Sequence, residues 1–178
     1  EYLEQAAVFA KDKNLNLHLD GARLFNAVVK QSVPVQDITR HFDSVSLCLS
    51  KGLGAPVGSL LCGSSSFIKE ARKWRKMVGG GMRQAGILAA AGIFALENNV
   101  QRLALDHEHA EILTRGLSQF KQLEVEKDPA QTNMVFFTME AEKAVEMAKF
   151  LEKDNILISP GRTTRLVTHL DISSEDIA

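Results

Sequence analysis

Two strand patterns, each ending in a charged side chain and separated by one helical stretch, constrain this chain more than any other feature. Asn14 to Asp20 alternates, with Leu15, Leu17 and Leu19 on one face and Asn16, His18 and Asp20 on the other, and it breaks at Gly21-Ala22-Arg23. Arg23 to Lys30 can form a helix, and Asp43 to Leu49 is a second strand that runs straight into Ser50-Lys51-Gly52. Strand, helix and strand in succession predict an α/β fold with a mostly parallel sheet. Asp20 and Lys51 then leave at the carboxyl edge, where open α/β sheets bind ligands. A third short apolar strand, Ser59-Leu60-Leu61-Cys62, lies within Gly58 to Gly63.

The remaining periodicities extend this into two parts. Residues 2 to 12, 67 to 77 and 84 to 98 read as helices, the last with small residues Ala89 to Gly92 that permit close approach. A helix over about 100 to 122 sets Val100, Leu103, Ala110, Leu113, Leu117 and Phe120 near one stripe. Strands at 123–127 and 133–139, a helix at 140–154, and strands at 156–159 and 165–170 predict a small two-layer α/β lobe. The expected division is residues 1–99 and 100–178. Glu1 to Ala10 reads as a helix already under way, and Ser173 to Ala178 as an N-cap with an acidic first turn. The chain is therefore expected to be part of a longer polypeptide, and the lack of a targeting signal carries no weight.

Composition removes several function classes. With 178 residues, 45% hydrophobic and 24% charged, the chain has the balance of a soluble globular protein. Lys plus Arg is 21 against Asp plus Glu 22, so a net charge of -1 leaves no global footprint for nucleic acid or acidic membranes. The longest apolar stretch, Ala85 to Leu96, falls short of the roughly 18 residues that span a bilayer. Ile68 to Lys76 holds five basic residues around Trp74, a short stripe that reads as a solvated or intersubunit face rather than a nucleic-acid surface. Cys48 and Cys62 sit in apolar runs without ligand spacing and read as small buried hydrophobes, which fits a reducing compartment, cytoplasmic or mitochondrial.

Nine of the twelve glycines fall between Gly52 and Gly92, a density suited to close approach of backbone to a bound group. Lys51 heads this region. At the exit of a buried strand a lysine is partly desolvated, which favours the neutral amine and suits it to Schiff-base formation. Ser50 beside it can hydrogen-bond a phosphate or that amine. Taken alone, Lys51 also fits a snorkelling strand-end residue and Asp20 a helix N-cap. Together they match pyridoxal phosphate chemistry, where a carboxylate keeps the ring nitrogen cationic so that the ring accepts electrons. No metal site is expected.

The runs His18-Leu19-Asp20-Gly21-Ala22-Arg23-Leu24-Phe25-Asn26-Ala27 and Ser50-Lys51-Gly52-Leu53-Gly54-Ala55-Pro56-Val57-Gly58-Ser59 resemble the low-specificity L-threonine aldolases, fold type I pyridoxal phosphate enzymes. Arg75 to Gln84 (RKMVGGGMRQ) and Arg165 to Asp171 (RLVTHLD) extend the resemblance over essentially the whole chain. It implies retro-aldol cleavage of L-threonine and L-allo-threonine to glycine and acetaldehyde, within threonine catabolism. It makes Lys51 the Schiff-base lysine, Asp20 the partner of the pyridine nitrogen, and Arg23 and Arg165 a clamp on the substrate carboxylate. Arg83 resembles a residue near the cofactor phosphate or the active-site mouth, and Lys76 one at an entrance shared across a subunit interface. The resemblance further implies a tetramer of two dimers. Residues 1–99 would then be a partial cofactor-binding large domain, and 100–178 a linking helix with a small carboxyl-terminal domain.

Three elements of such a site are missing from the sequence reading. No residue is singled out as the base for the β-hydroxyl proton. Neither the Gly/Thr phosphate turn nor the ring-stacking aromatic or His is found before Asp20, so the 178 residues alone are expected to be inert. The readings that compete are another fold type I enzyme, such as a β-eliminating lyase, an aminotransferase or a serine hydroxymethyltransferase, and a non-catalytic remnant of the fold.

Overall fold

In the computed structural model, which describes residues 1–125 and 131–178, helix α1 (Tyr2–Asp12) leads into strand β1 (His18–Gly21). Helices α2 (Leu24–Gln31) and α3 (Val35–Thr39) connect β1 to β2 (Ser44–Cys48), and β1 and β2 pair in parallel as the strand–helix–strand pattern predicts. The alternation from Asn14 forms a strand only over its last part, because the ladder with β2 begins at His18, opposite Ser44. Leu15 is exposed. β3 (Ser59–Gly63) completes a sheet of order β1-β2-β3 and runs antiparallel to β2.

Register assigns the faces. His18 lies beside Ser44, Leu19 beside Val45 and Asp20 beside Ser46. Leu19 and Val45 meet Leu24 of α2 and Ile38 of α3 in one core cluster, with Leu3 of α1 and Phe42 packed on it. Each fully buried aliphatic side chain there contributes about 1.5–3 kcal/mol. By alternation, His18, Asp20, Ser44, Ser46 and Cys48 share the opposite, polar face.

Helix α4 (Ser65–Met77) starts where Ser64 Oγ accepts the Phe67 N–H at 3.3 Å. It ends at Val78 in a Schellman arrangement: Gly79 has φ 87°, its N–H bonds the Lys76 carbonyl at 3.3 Å, and the Gly80 N–H bonds the Arg75 carbonyl at 2.8 Å. These two glycines of the dense region thus terminate a helix. Helix α5 (Gly86–Asn98) is apolar around its circumference, yet only Gly92 and Ala95 are buried, with Ile87 83% and Phe94 62% exposed.

Two compact units are distinguished, Glu1–Gln101 and Arg102–Ala178. The second contains α6 (Leu103–Leu117), β4 (Glu124–Val125), β5 (Met134–Thr138), α7 (Ala141–Glu152), β6 (Thr163–Val167) and α8 (Ser174–Ile177). Its sheet is antiparallel, of order β4-β5-β6. Ala110 of α6 and Val135 of β5 centre its core, with Leu113, Leu117, Val125 and Leu166 around them. Helix α6 is shorter than its stripe predicts: Val100 precedes it and Phe120, exposed, follows it. The expected strand at 156–159 does not form. Asn155 turns the chain at φ 60°, the Ile156 N–H closes back on the Leu151 carbonyl at 3.1 Å, and Leu157 is 80% exposed. Of the strand expected at 123–127, residues 126–127 lie outside the described residues.

Candidate active site

Asp20 is carried to the sheet edge by β1. Its exposed carboxylate accepts one described hydrogen bond, from the Ala22 N–H to Oδ1 at 3.2 Å. That is a local turn and not a helix cap, since the N-cap of α2 is Arg23 and makes no side-chain cap bond. The residue between them must be small: a Cβ on Gly21 would stand 2.7 Å from the Ser46 carbonyl oxygen and 3.2 Å from Leu24 Cβ. Asp20 and Arg23 both line a cleft of about 630 Å³, with Leu24, Gln31 and Arg40 among its other walls.

Lys51 follows β2 at the same edge of the parallel pair. Its backbone is held by a turn in which the Gly54 N–H bonds the Lys51 carbonyl at 2.9 Å, with Gly54 at φ 72°. The loop beyond is anchored from both sides. Leu49 bonds Gly58 and Ala55 bonds Leu49 through the backbone, while Asn99 Nδ2 donates to the Leu53 carbonyl at 2.7 Å. Gly52, Leu53 and Ala55 are buried while Lys51 is exposed, so the described residues do not supply the desolvation expected of it. Ser50 is likewise exposed, and its hydroxyl lies 3.5 Å from Cys48 Sγ.

Cys48 corrects a second expectation. It is half-buried and Cys62 is exposed, so neither is a core hydrophobe. Burial pushes the Cys48 thiol up, but hydrogen bonds from the Ser50 hydroxyl and backbone and from the Ser59 hydroxyl, together with the Lys51 charge, bring it below its ordinary value. Ser59 stands opposite Cys48 in the β2–β3 ladder. His18, the residue before last to Asp20 on the polar face, is fixed through Nδ1 to Ser44 Oγ at 2.8 Å. Period-two alternation back from Asp20 was the signal that could have marked His18.

The other expected residues are less gathered. Lys76, in the last turn of α4, and Arg83, ahead of α5, are both exposed. The Lys76 stem lies against Gly81, where a Cβ would come within 2.7 Å of its Cδ. Arg165 belongs to the second unit. It stands opposite Phe136 and is exposed, on the sheet face away from Val135, Leu166 and Ala110. His169 accepts the Asp171 N–H at Nδ1, 3.3 Å, and is half-exposed. Among the described residues no group of three or more His, Cys, Asp or Glu side chains could hold a metal, and no helix is long and apolar enough to cross a membrane.

A family model described as beta-eliminating lyase matches residues 1–141. The chain belongs to the beta-eliminating lyase family. The stretch of this family's model includes Asp20, Arg23, Lys51, Lys76 and Arg83, and stops short of Arg165. The lyase-family chain is 49% identical over 178 residues to the low specificity L-threonine aldolase of Escherichia coli K12, covering 100% of this chain and 53% of that protein. It is 45% identical over 182 residues to low-specificity L-threonine aldolase 1 of Arabidopsis thaliana, covering 99% and 51% respectively. It thus spans about half the length of the curated relatives it matches. Among solved structures, a Listeria monocytogenes protein superposes with TM-score 0.85 at 20% identity over 98% of this chain and 53% of that one. A Leishmania major threonine aldolase does so with TM-score 0.76 at 23% identity over 98% and 52%. The beta-eliminating lyase family chain therefore has the fold of about half of each of these proteins, an α/β fold as expected from its sequence.

Proposed function

We propose that the whole protein is a pyridoxal phosphate-dependent aldehyde-lyase that cleaves L-threonine and L-allo-threonine to glycine and acetaldehyde, with this chain supplying part of the site. One observation carries the reading. Asp20 and Lys51 end parallel neighbouring strands at one sheet edge, in a chain 49% identical along its whole length to a low specificity L-threonine aldolase.

The residues fit the cofactor. Asp20 presents an exposed carboxylate with one described hydrogen bond, which leaves acceptor capacity for a protonated ring nitrogen. Lys51 presents an exposed amine on a backbone anchored by its loop. When bound, pyridoxal phosphate supplies an aldehyde for an amine to condense with and a ring that takes the electron pair released when a bond to Cα breaks. Lys51 Nζ would hold the cofactor through its amine, a role that requires it to lose a proton. Asp20 would keep a proton on the ring nitrogen by charge. Arg23 and Arg165 are each assigned to the substrate carboxylate, a task that the planar donor fork of an arginine suits. Arg83 and Ser50 are assigned to the phosphate side, and Lys76 to the entrance.

The protein is further proposed to work as a homo-oligomer in the cytoplasm, a tetramer of two dimers, and the exposed apolar circumference of α5 supports such a burial. The deciding experiment assays the whole protein, loaded with pyridoxal phosphate, for acetaldehyde and glycine from L-threonine. Lys51→Ala is expected to remove the visible absorbance of lysine-held cofactor and to cut turnover by at least about 10³-fold. A keto acid in place of acetaldehyde would assign the protein to transamination instead.

A further inference from the structure

Arg165 sits on β6, which among the described residues is an edge strand paired with β5 alone, so its position depends on how firmly that strand end is held. The residues that hold it are Asn133 and Thr168, one step past the last ladder pair, Met134 and Val167. The Thr168 N–H donates to the Asn133 carbonyl at 3.0 Å, and Asn133 Nδ2 donates back to the Thr168 carbonyl at 2.8 Å. The Thr168 hydroxyl donates at 2.6 Å to the backbone carbonyl of Asp106, in the first turn of α6. Both residues are buried, Asn133 at 0% and Thr168 at 2% exposure. Asp106 is itself fixed, its carboxylate taking two hydrogen bonds from the Arg102 guanidinium at 2.6 and 3.2 Å.

Alternation sets Thr168 on the packed face with Thr164 and Leu166, while Arg165 lies on the open face. The clamp thus grips the strand from behind, three residues from the guanidinium, without reaching any group the guanidinium would bind. Edge strands fray from their ends, and fraying over three residues would release Arg165. We propose that Thr168 and Asn133 are positioning residues for Arg165, locking its strand to α6 so that a substrate carboxylate meets a guanidinium on a rigid element. The proposal rests on the reading of Arg165 as a carboxylate clamp.

The test uses the whole holoenzyme, with L-threonine turnover and calorimetric binding of glycine, which carries the same carboxylate. Thr168→Val keeps the shape and removes the hydroxyl. It is expected to raise KM for threonine and Kd for glycine together by roughly tenfold, the scale of one lost buried hydrogen bond, with Thr168→Ser restoring both. A merely structural role lowers the folded fraction, and with it kcat, while KM and Kd stay put; that pattern overturns the proposal. Arg165→Ala separates the two readings. If it weakens glycine binding and Thr168→Val does not, only the positioning role falls; if it leaves glycine binding unchanged, the clamp reading falls and the proposal with it. Should Thr168→Val not fold, hydrogen exchange of the unsubstituted protein decides. A Thr168 amide as slow as those of β5 supports the lock, and one exchanging at the rate of a frayed end overturns it.

Discussion

Cys48 and Ser50 flank the strand end that leads to Lys51, and their hydrogen bond gives this edge of the sheet a measurable titration. Burial raises the thiol, and the Ser50, Ser59 and Lys51 contributions outweigh it, so the thiolate forms at lower pH than in an ordinary cysteine. In a Cys62→Ser background, alkylation of Cys48 by iodoacetamide is expected to rise with pH along a curve displaced to lower pH than that of a small free thiol, and Ser50→Ala is expected to move it back up. A curve at or above the free thiol would contradict the geometry. The placement of Asp20 and Lys51 at strand ends was legible at this scale, because it depends only on two strand patterns joined by a helix. Cys48 was not, because an apolar run in sequence hides which of its residues face hydroxyls contributed by the neighbouring strand.

Elements were legible in kind and less so in extent. β1 needs a glycine next to its carboxylate, since a Cβ on Gly21 would strike the Ser46 carbonyl oxygen of β2 at 2.7 Å. Gly21→Ala is expected to part the two strands locally and destabilise the first unit by about 1–3 kcal/mol in urea unfolding. Helix α8 shows a second device, a capping box in which Ser173 and Asp176 satisfy each other's backbone N–H groups. The Ser173 hydroxyl and N–H hold the Asp176 carboxyl below its ordinary value. With the folded value below the unfolded one, the box stabilises α8 above the unfolded value and loses that contribution as pH falls through the folded one. An NMR titration of Asp176 should therefore move upward in Ser173→Ala; no movement would remove the box as its cause. Ser173 and the acidic first turn were visible in sequence, whereas the failure of 156–159 to form a strand was not. That apolar run is spent on ending α7, a choice made by backbone bonds to Leu151.

At the scale of the molecule, each unit carries a core of its own, around Val45 in the first and around Ala110 and Val135 in the second. The second also buries a charge: Asp106 is 0% and Arg102 20% exposed in their ion pair. Removing the guanidinium's partner leaves the desolvated arginine unpaired, so Asp106→Ala is expected to cost about 3 kcal/mol. Hydrogen exchange should show the loss in α6, β5 and β6, with β1 and β2 unchanged; equal loss in both sheets would mean that the units do not unfold separately. What the amino-acid sequence determined by itself is the alternation of elements and the identity of the residues that end them, because periods of 2 and 3.6 residues are properties of neighbours along the chain. Only the tertiary structure decided that β3 runs antiparallel, that Cys48 faces Ser59, where each strand stops, and that Thr168 reaches α6. Those facts depend on register and contact between residues far apart in sequence, and no local pattern encodes them.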